Sequence, residues 1–143
     1  MIAAARRLAA RSQTPVLVLS VREREYTRGL VWDRRPMNEI AEVINSAIFE
    51  FDRAGVQATG LIRTARSGAA AQQIVDTARQ HSASAIIIGT SGRSQLGSLI
   101  VSSVSWRVVR MSDVPVLVVP TRKRKAVDQP LTSPSRSTAV PNR

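Results

Sequence analysis

The residues best suited to chemistry lie in a glycine- and serine-rich segment between an apolar run and a helix-like run. Glycine lets the main chain approach an anion closely and lets successive N–H groups converge on it. The N-terminus of a following helix adds free N–H donors and partial positive charge, and serine hydroxyls can donate as well. The segment therefore predicts a phosphate-binding loop, although many such loops carry glycine only to turn tightly. The candidate nucleotide-binding residues are Gly89, Gly92, Arg93, Ser102 and Ser103.

Composition excludes several other kinds of site. The 143 residues suit one domain, and the chain has no cysteine, which rules out disulfides, cysteine zinc sites and thiol nucleophiles. Its single histidine, His81, cannot build a multi-histidine metal site. The net charge of +11 is concentrated in residues 1–35 and 121–143, and aromatic residues make up only 3%. Sequence-specific nucleic-acid recognition is therefore not indicated, and we expect no metal site.

The elements that must position the loop alternate between β-prone and helical patterns. The pattern predicts helices at 2–10, 37–51, 68–78 and 99–111, strands at 15–21, 56–62, 85–88 and 114–120, and a loop from Arg22 to Arg35. Such alternation is typical of a parallel sheet covered by helices, so we predict an α/β domain over residues 1–120. Residues 121–143 lack hydrophobic periodicity and are basic and rich in Pro and Ser, which predicts a disordered tail.

The run from Ala85 to Val119 resembles the C-terminal half of universal stress proteins. Nucleotide-binding members of that family carry Gly, two residues, Gly, nine residues, and then Gly followed by Ser or Thr. Gly89, Gly92 and Ser103 fit this pattern in register, whereas Ser102 stands in place of the last Gly. The resemblance covers roughly residues 1–120. It implies a doubly wound, open parallel sheet with helices on both faces, ATP with Mg²⁺ as the ligand, and homodimers that pair through the last strand. The implied interface residues are Val114, Val116, Leu117, Val118 and Val119.

The start of the chain departs from the family pattern. The family's domain opens with a strand whose Asp contacts the nucleotide, and that strand lies in the middle of the sheet. It has no counterpart before the predicted helix at 2–10, so the strands at 15–21 and 85–88 would each lose a partner. These strands could pair directly, segments could be exchanged between protomers, or the chain could be an N-terminally shortened copy. We favour the shortened copy as the hypothesis.

Two functions of different classes follow from these features. The first is an ATP-responsive regulatory module of the stress response, and the second is a family member that binds no nucleotide and acts through dimerisation and protein–protein contacts. An adenylating enzyme is disfavoured because its motifs do not follow the first predicted strand, so we expect no enzymatic activity. No apolar run approaches the roughly 18 residues that span a bilayer. The Ala- and Arg-rich start lacks a cleavage pattern, and we expect a cytoplasmic protein.

Overall fold

Helices and strands alternate along the chain. The computed structural model describes residues 1–27, 30–33, 36–90 and 103–120. In chain order the elements are α1 (Ile2–Ser12), β1 (Val16–Thr27), β2 (Leu30–Asp33), α2 (Met37–Asp52), β3 (Ala58–Arg66), α3 (Ala70–Gln80), β4 (Ile86–Thr90), α4 (Ser103–Met111) and β5 (Val116–Pro120). The predicted tail, 121–143, lies outside the described residues, as does the first part of the helix predicted at 99–111. None of the described helices is long and apolar enough to cross a membrane.

Helix α2 follows directly from its sequence pattern. Its buried residues recur at steps of three and four along one face, which places that face against the sheet: Ile40, Ile44, Ala47 and Phe51. Pro36 precedes the helix with φ −65°, a value that suits a helix entry. Gly55 adopts φ +68° in the turn after the helix, a conformation that glycine tolerates best. The predicted start and stop signals are therefore confirmed.

The strands form two hydrogen-bonded sheets. The first has the order β2-β1-β3, and the second pairs β4 with β5. Strands β1 and β3 run parallel from the pair Val16↔Ala58 to the pair Arg24↔Arg66, and β4 and β5 are parallel as well. Within the described strands, β1 and β4 share no ladder. The break falls between the two strands that the sequence analysis expected to lose a partner.

The predicted loop from Arg22 to Arg35 is wrong. Strand β1 continues to Thr27, and the chain returns as β2, which pairs antiparallel with the end of β1. Strand β1 stays paired with β3 as far as Arg24. Main-chain hydrogen bonds, and not apolar side chains, therefore hold this charged part of β1 in the sheet. The side chain of Arg22 is even buried. The charged residues of this segment therefore form the last part of β1 and do not indicate a loop.

Helices cover both faces of the sheets. On one face, α1 and α2 pack over the first sheet through a cluster that contains Ala5, Ala9 and Phe51. On the other, α3 and α4 meet β4 through Val75 and Val108. Ile87 of β4 packs against the first of these clusters, so β4 contacts both helical layers. The predicted fold class, a parallel α/β structure with helices on both faces, is confirmed, with antiparallel β2 as an addition.

Candidate functional site

The centre of the candidate site is the carboxyl end of β4. Gly89 lies in β4, in register with Val119 of β5, and Thr90 is the last residue of the strand. The Gly89 carbonyl accepts a hydrogen bond of 3.1 Å from the Ser105 hydroxyl of α4. Ser105 is only 1% exposed, so this bond is made inside the protein. It fastens the end of the strand to the first turns of the helix, with the glycine-rich segment between them.

Ser103 is the first described residue of α4, and its side chain is exposed. The first turn of α4 carries no acidic residue, so the partial positive charge of this helix end is not offset within its own first turn. Gly89 and Ser103 thus lie at the two described ends of one strand-to-helix connection, and their role in binding stays a prediction. The other candidate residues, Gly92, Arg93 and Ser102, lie outside the described residues.

A carboxylate, that of Glu23, binds the main chain at the start of helix α3. Glu23 Oε1, from the end of β1, accepts hydrogen bonds from the main-chain N–H groups of Gly68 at 2.9 Å and Ala70 at 3.4 Å. Gly68 has φ +80°, which turns the chain from β3 into α3. A carboxylate at this position offsets the positive end of α3 and satisfies N–H groups that have no partner inside the helix. An anion is therefore already present at the start of α3.

Arg107 of α4 reaches the same turn. Its guanidinium Nη1 donates a hydrogen bond to the Gly68 carbonyl. The main chain of Gly68 is thus bound on its N–H side by Glu23 and on its C=O side by Arg107. Sequence reasoning missed both side chains. Glu23 falls in the stretch predicted as a loop, and nothing in the helix predicted at 99–111 singles out Arg107. A carboxylate directly after an apolar strand, with a glycine opening a later helix, was the available signal.

The residues of the implied dimer interface lie on and beside β5. This strand pairs with β4 along one edge, and Leu117 is 44% exposed. The other predicted interface residues are partly buried: Val114, Val116, Val118 and Val119. In the described part of the chain, the second edge of β5 has no strand beside it. Pairing with another copy through that edge stays a prediction.

An ion pair closes the opposite end of α3. Arg79 Nε lies 2.6 Å from Asp113 Oδ2, and Arg79 Nη1 lies 3.5 Å from Asp76 Oδ1. Arg79 lowers the pKa of Asp113, chiefly through its hydrogen bond and then through its charge. Asp113 in turn raises the pKa of Arg79. Arg79 and Asp113 help to line a cavity of about 200 Å³ beside Val75. Neither Gly89 nor Ser103 lines this cavity. No cluster of three or more metal-ligating side chains occurs among the described residues.

Comparison with known proteins identifies the family. The family model described as "Universal stress protein family" matches residues 1–120, which is most of the chain. The chain belongs to the universal stress protein family. The resemblance seen in the strand-loop-helix-strand run from Ala85 to Val119 is thereby confirmed. No curated protein sequence matches the chain.

Solved structures of universal stress proteins share the fold. A universal stress protein from Archaeoglobus fulgidus is 26% identical, with a TM-score of 0.64 over 82% of this chain and 84% of that one. A structure of the universal stress protein from Archaeoglobus fulgidus in complex with dAMP is 21% identical, with a TM-score of 0.59 and 82% of each chain covered. A universal stress protein in complex with cAMP is 23% identical, with a TM-score of 0.57 over 83% of this chain and 84% of that one. Some structural neighbours of this universal stress protein thus bind adenine nucleotides.

Proposed function

We propose that this universal stress protein is a nucleotide-responsive regulatory module that binds ATP at the carboxyl end of β4. The observation that carries the proposal is the strand-to-helix connection, in which Gly89 lies next to the end of β4 and Ser103 is the first described residue of a helix without an acidic first turn. Ligands of parallel α/β sheets bind outside the carboxyl ends of strands, and a helix start attracts phosphate. Structural neighbours in complex with dAMP and cAMP support an adenine nucleotide as the ligand class.

The proposed ligand set joins the described residues to the glycine-rich segment. Main-chain N–H groups at Gly89 and Gly92 and the hydroxyls of Ser102 and Ser103 would hold the phosphates, with Arg93 as a cation beside them. ATP would carry Mg²⁺ with it, because the described residues offer no cluster of metal ligands. The proposed role is regulatory, in a cytoplasmic homodimer that pairs through β5, and it assigns no catalytic residue.

A pair of variants at Ser103 tests the proposal. Aspartate at the start of a helix is favourable for the helix, yet its charge repels a phosphate at the same place. We therefore expect Ser103→Asp to keep or raise the urea midpoint while it weakens ATP binding by about tenfold or more, as for a lost charge-assisted contact. The matched control, Ser103→Asn, has nearly the same shape as Ser103→Asp without the charge, and its amide can still donate to a phosphate, so it should weaken ATP binding much less than Ser103→Asp does.

The alternative function makes the opposite prediction for the same variants. A member of the family that acts only through protein contacts would form the same dimer with and without ATP. Equal ATP responses for Ser103→Asp, Ser103→Asn and the unchanged protein, together with indifference to Gly92→Leu, would reject the proposed site. Dimer formation is measured in parallel by analytical ultracentrifugation.

A further inference from the structure

The two sheets are joined by side chains and helices and not by a shared ladder. Within the described strands, β1 and β4 make no ladder with each other. Helix α3 spans the break, because it packs on β1 and β3 and also on α4. The position of α4 relative to the first sheet is therefore set by the Val75–Val108 packing between α3 and α4, to which the contacts at the start of α3 add.

A three-residue chain of hydrogen bonds connects α4 to β1 across this break. Arg107 donates to the Gly68 carbonyl, and the Gly68 N–H donates to Glu23 Oε1 over 2.9 Å. Glu23 also accepts from the N–H of Ala70, at 3.4 Å, so it holds the first turn of α3 as well as the turn before it. Both outer partners are charged, and hydrogen bonds to ionised groups are stronger than those between neutral groups.

The same helix has its second anchor in the other sheet. Ser105 donates to the Gly89 carbonyl of β4, and Arg107 lies two residues further along α4. Ser103 and Arg107 are four residues apart, so they lie on one side of the helix, one turn from each other. The first turns of α4 are thus held at Gly89 in one sheet and at Gly68 beside the other. Together the two anchors set where the start of α4 lies and how it is rotated.

We infer that Arg107 and Glu23 are positioning residues that set the start of α4, and with it the phosphate end of the nucleotide site, against the first sheet. The inference rests on the proposed function for its ligand, since ATP binding is what the positioning would serve. Neither side chain needs to touch the nucleotide. Arg107 and Glu23 act on α4 through the main chain of Gly68. The φ of Gly68, +80°, is a conformation that few other residues adopt.

The test uses the full chain and one matched pair of arginine variants. Arg107→Met keeps the aliphatic stem and removes the donor, whereas Arg107→Lys keeps a cationic donor. Arg110→Met is the control, because Arg110 is exposed on the last turn of the same helix. For each protein, ATP affinity is measured by calorimetry, and amide hydrogen exchange is followed by NMR at residues 68–70 and 107–109.

We expect Arg107→Met to raise the Kd for ATP about tenfold and to speed exchange at both segments by a similar factor. Arg107→Lys should return both quantities to within about threefold of the unchanged protein, and Arg110→Met should match it. If Glu23 only capped α3, its removal would change amide exchange near the start of α3 alone. A Glu23 variant is therefore measured in α4 as well. Glu23→Leu should speed exchange at 107–109, in α4, as well as at 68–70.

The two arms separate failure of the inference from failure of the proposed function. If Arg107→Met and Arg110→Met behave alike in exchange and in affinity, or if Glu23→Leu leaves residues 107–109 unchanged, the positioning role is overturned. If the unchanged protein binds no ATP, the proposed function fails, and the exchange data alone decide whether the two residues hold α4. A urea titration of every variant shows that the folded state is being compared.

Discussion

The buried hydroxyl of Ser105 donates a hydrogen bond of 3.1 Å to the carbonyl of Gly89, and so ties α4 to the end of β4. The two residues lie sixteen positions apart and bracket the whole glycine-rich segment. The donor is buried and the acceptor is partly buried, so water can only partly replace this hydrogen bond if it is lost. This contact sets the position of α4 relative to the end of β4, between which the proposed nucleotide site lies.

Removal of the Ser105 hydroxyl should therefore destabilise the protein. We expect Ser105→Ala to lower the free energy of unfolding by about 1 kcal/mol, which is the net contribution of a typical intramolecular hydrogen bond. Urea denaturation followed by circular dichroism measures the change. Ser84→Ala is the control, since Ser84 is exposed, and it should remain within about 0.5 kcal/mol. Equal midpoints for both variants would show that the Gly89 contact does not matter for stability.

A second prediction concerns the close approach of β3 to α2. A Cβ added at Gly60 would overlap the Cγ2 methyl of Ile44 and lie 3.1 Å from Ile48 Cδ1. We expect Gly60→Ala to cost about 1–3 kcal/mol of stability, because the buried side chain of Ile44 would have to move to make room for the new Cβ. Thr59→Ala, at an exposed position in the same strand, serves as the comparison.

The overlap at Gly60 also predicts a specific rescue. Ile44→Ala removes the methyl that the new Cβ would meet, so the double variant should be more stable than the sum of the two single effects. A double-mutant cycle in urea isolates this coupling energy. Strict additivity, or a Gly60→Ala protein as stable as the unchanged one, would contradict the observed packing.

The Arg79–Asp113 ion pair predicts a pH dependence with a definite sign. The hydrogen bond and charge of Arg79 lower the pKa of Asp113 below its ordinary value of 3.8. A lowered folded-state pKa contributes stability above the unfolded value, and that contribution is lost as the pH falls through the folded value. Asp113→Asn should thus be less stable than the unchanged protein at pH 7, and the difference should shrink as the pH falls below about 4.

Because both side chains of this pair are exposed, the difference should also fall with added salt. Urea midpoints at pH 7 and pH 3, each with and without 1 M NaCl, provide the measurement. Glu42→Gln, an exposed acid in the middle of α2, controls for the loss of one negative charge. A difference for Asp113→Asn that grows on acidification would contradict the assignment of the ion pair.

Local patterns predicted the elements that depend on local physics. The three- and four-residue steps of α2 placed Ile44 and Phe51 in the core, and Gly55 marked the turn that follows. The apolar runs located β1 and β4 for the same reason, since a strand whose two faces are both covered needs apolar residues throughout. The glycine spacing after Ile86 predicted the strand-to-helix connection, of which the two ends are now described.

Features that depend on long-range partners could not be predicted in this way. The stretch from Arg22 to Thr27 is charged, and only its pairing with β3 and β2 makes it a strand. Glu23 and Gly68 are 45 residues apart, so no local pattern links them, and the same holds for Arg107 and Gly68. The sequence suggested a lost partner for β1 and β4 but not how the two sheets remain together. The packing of Ile87 on the first cluster and of β4 on Val75 and Val108 joins them, and the hydrogen bonds at the start of α3 add to it.

Titration of the full chain with ATP and Mg²⁺ by isothermal calorimetry is the most direct test of the central claim. The account predicts saturable binding of one nucleotide per chain with a micromolar or tighter Kd. It also predicts a rise in melting temperature as ATP is added, because a ligand that binds only the folded state stabilises it. Absence of binding heat and of any thermal shift at millimolar ATP would contradict the claim that the Gly89–Ser103 connection is a nucleotide site.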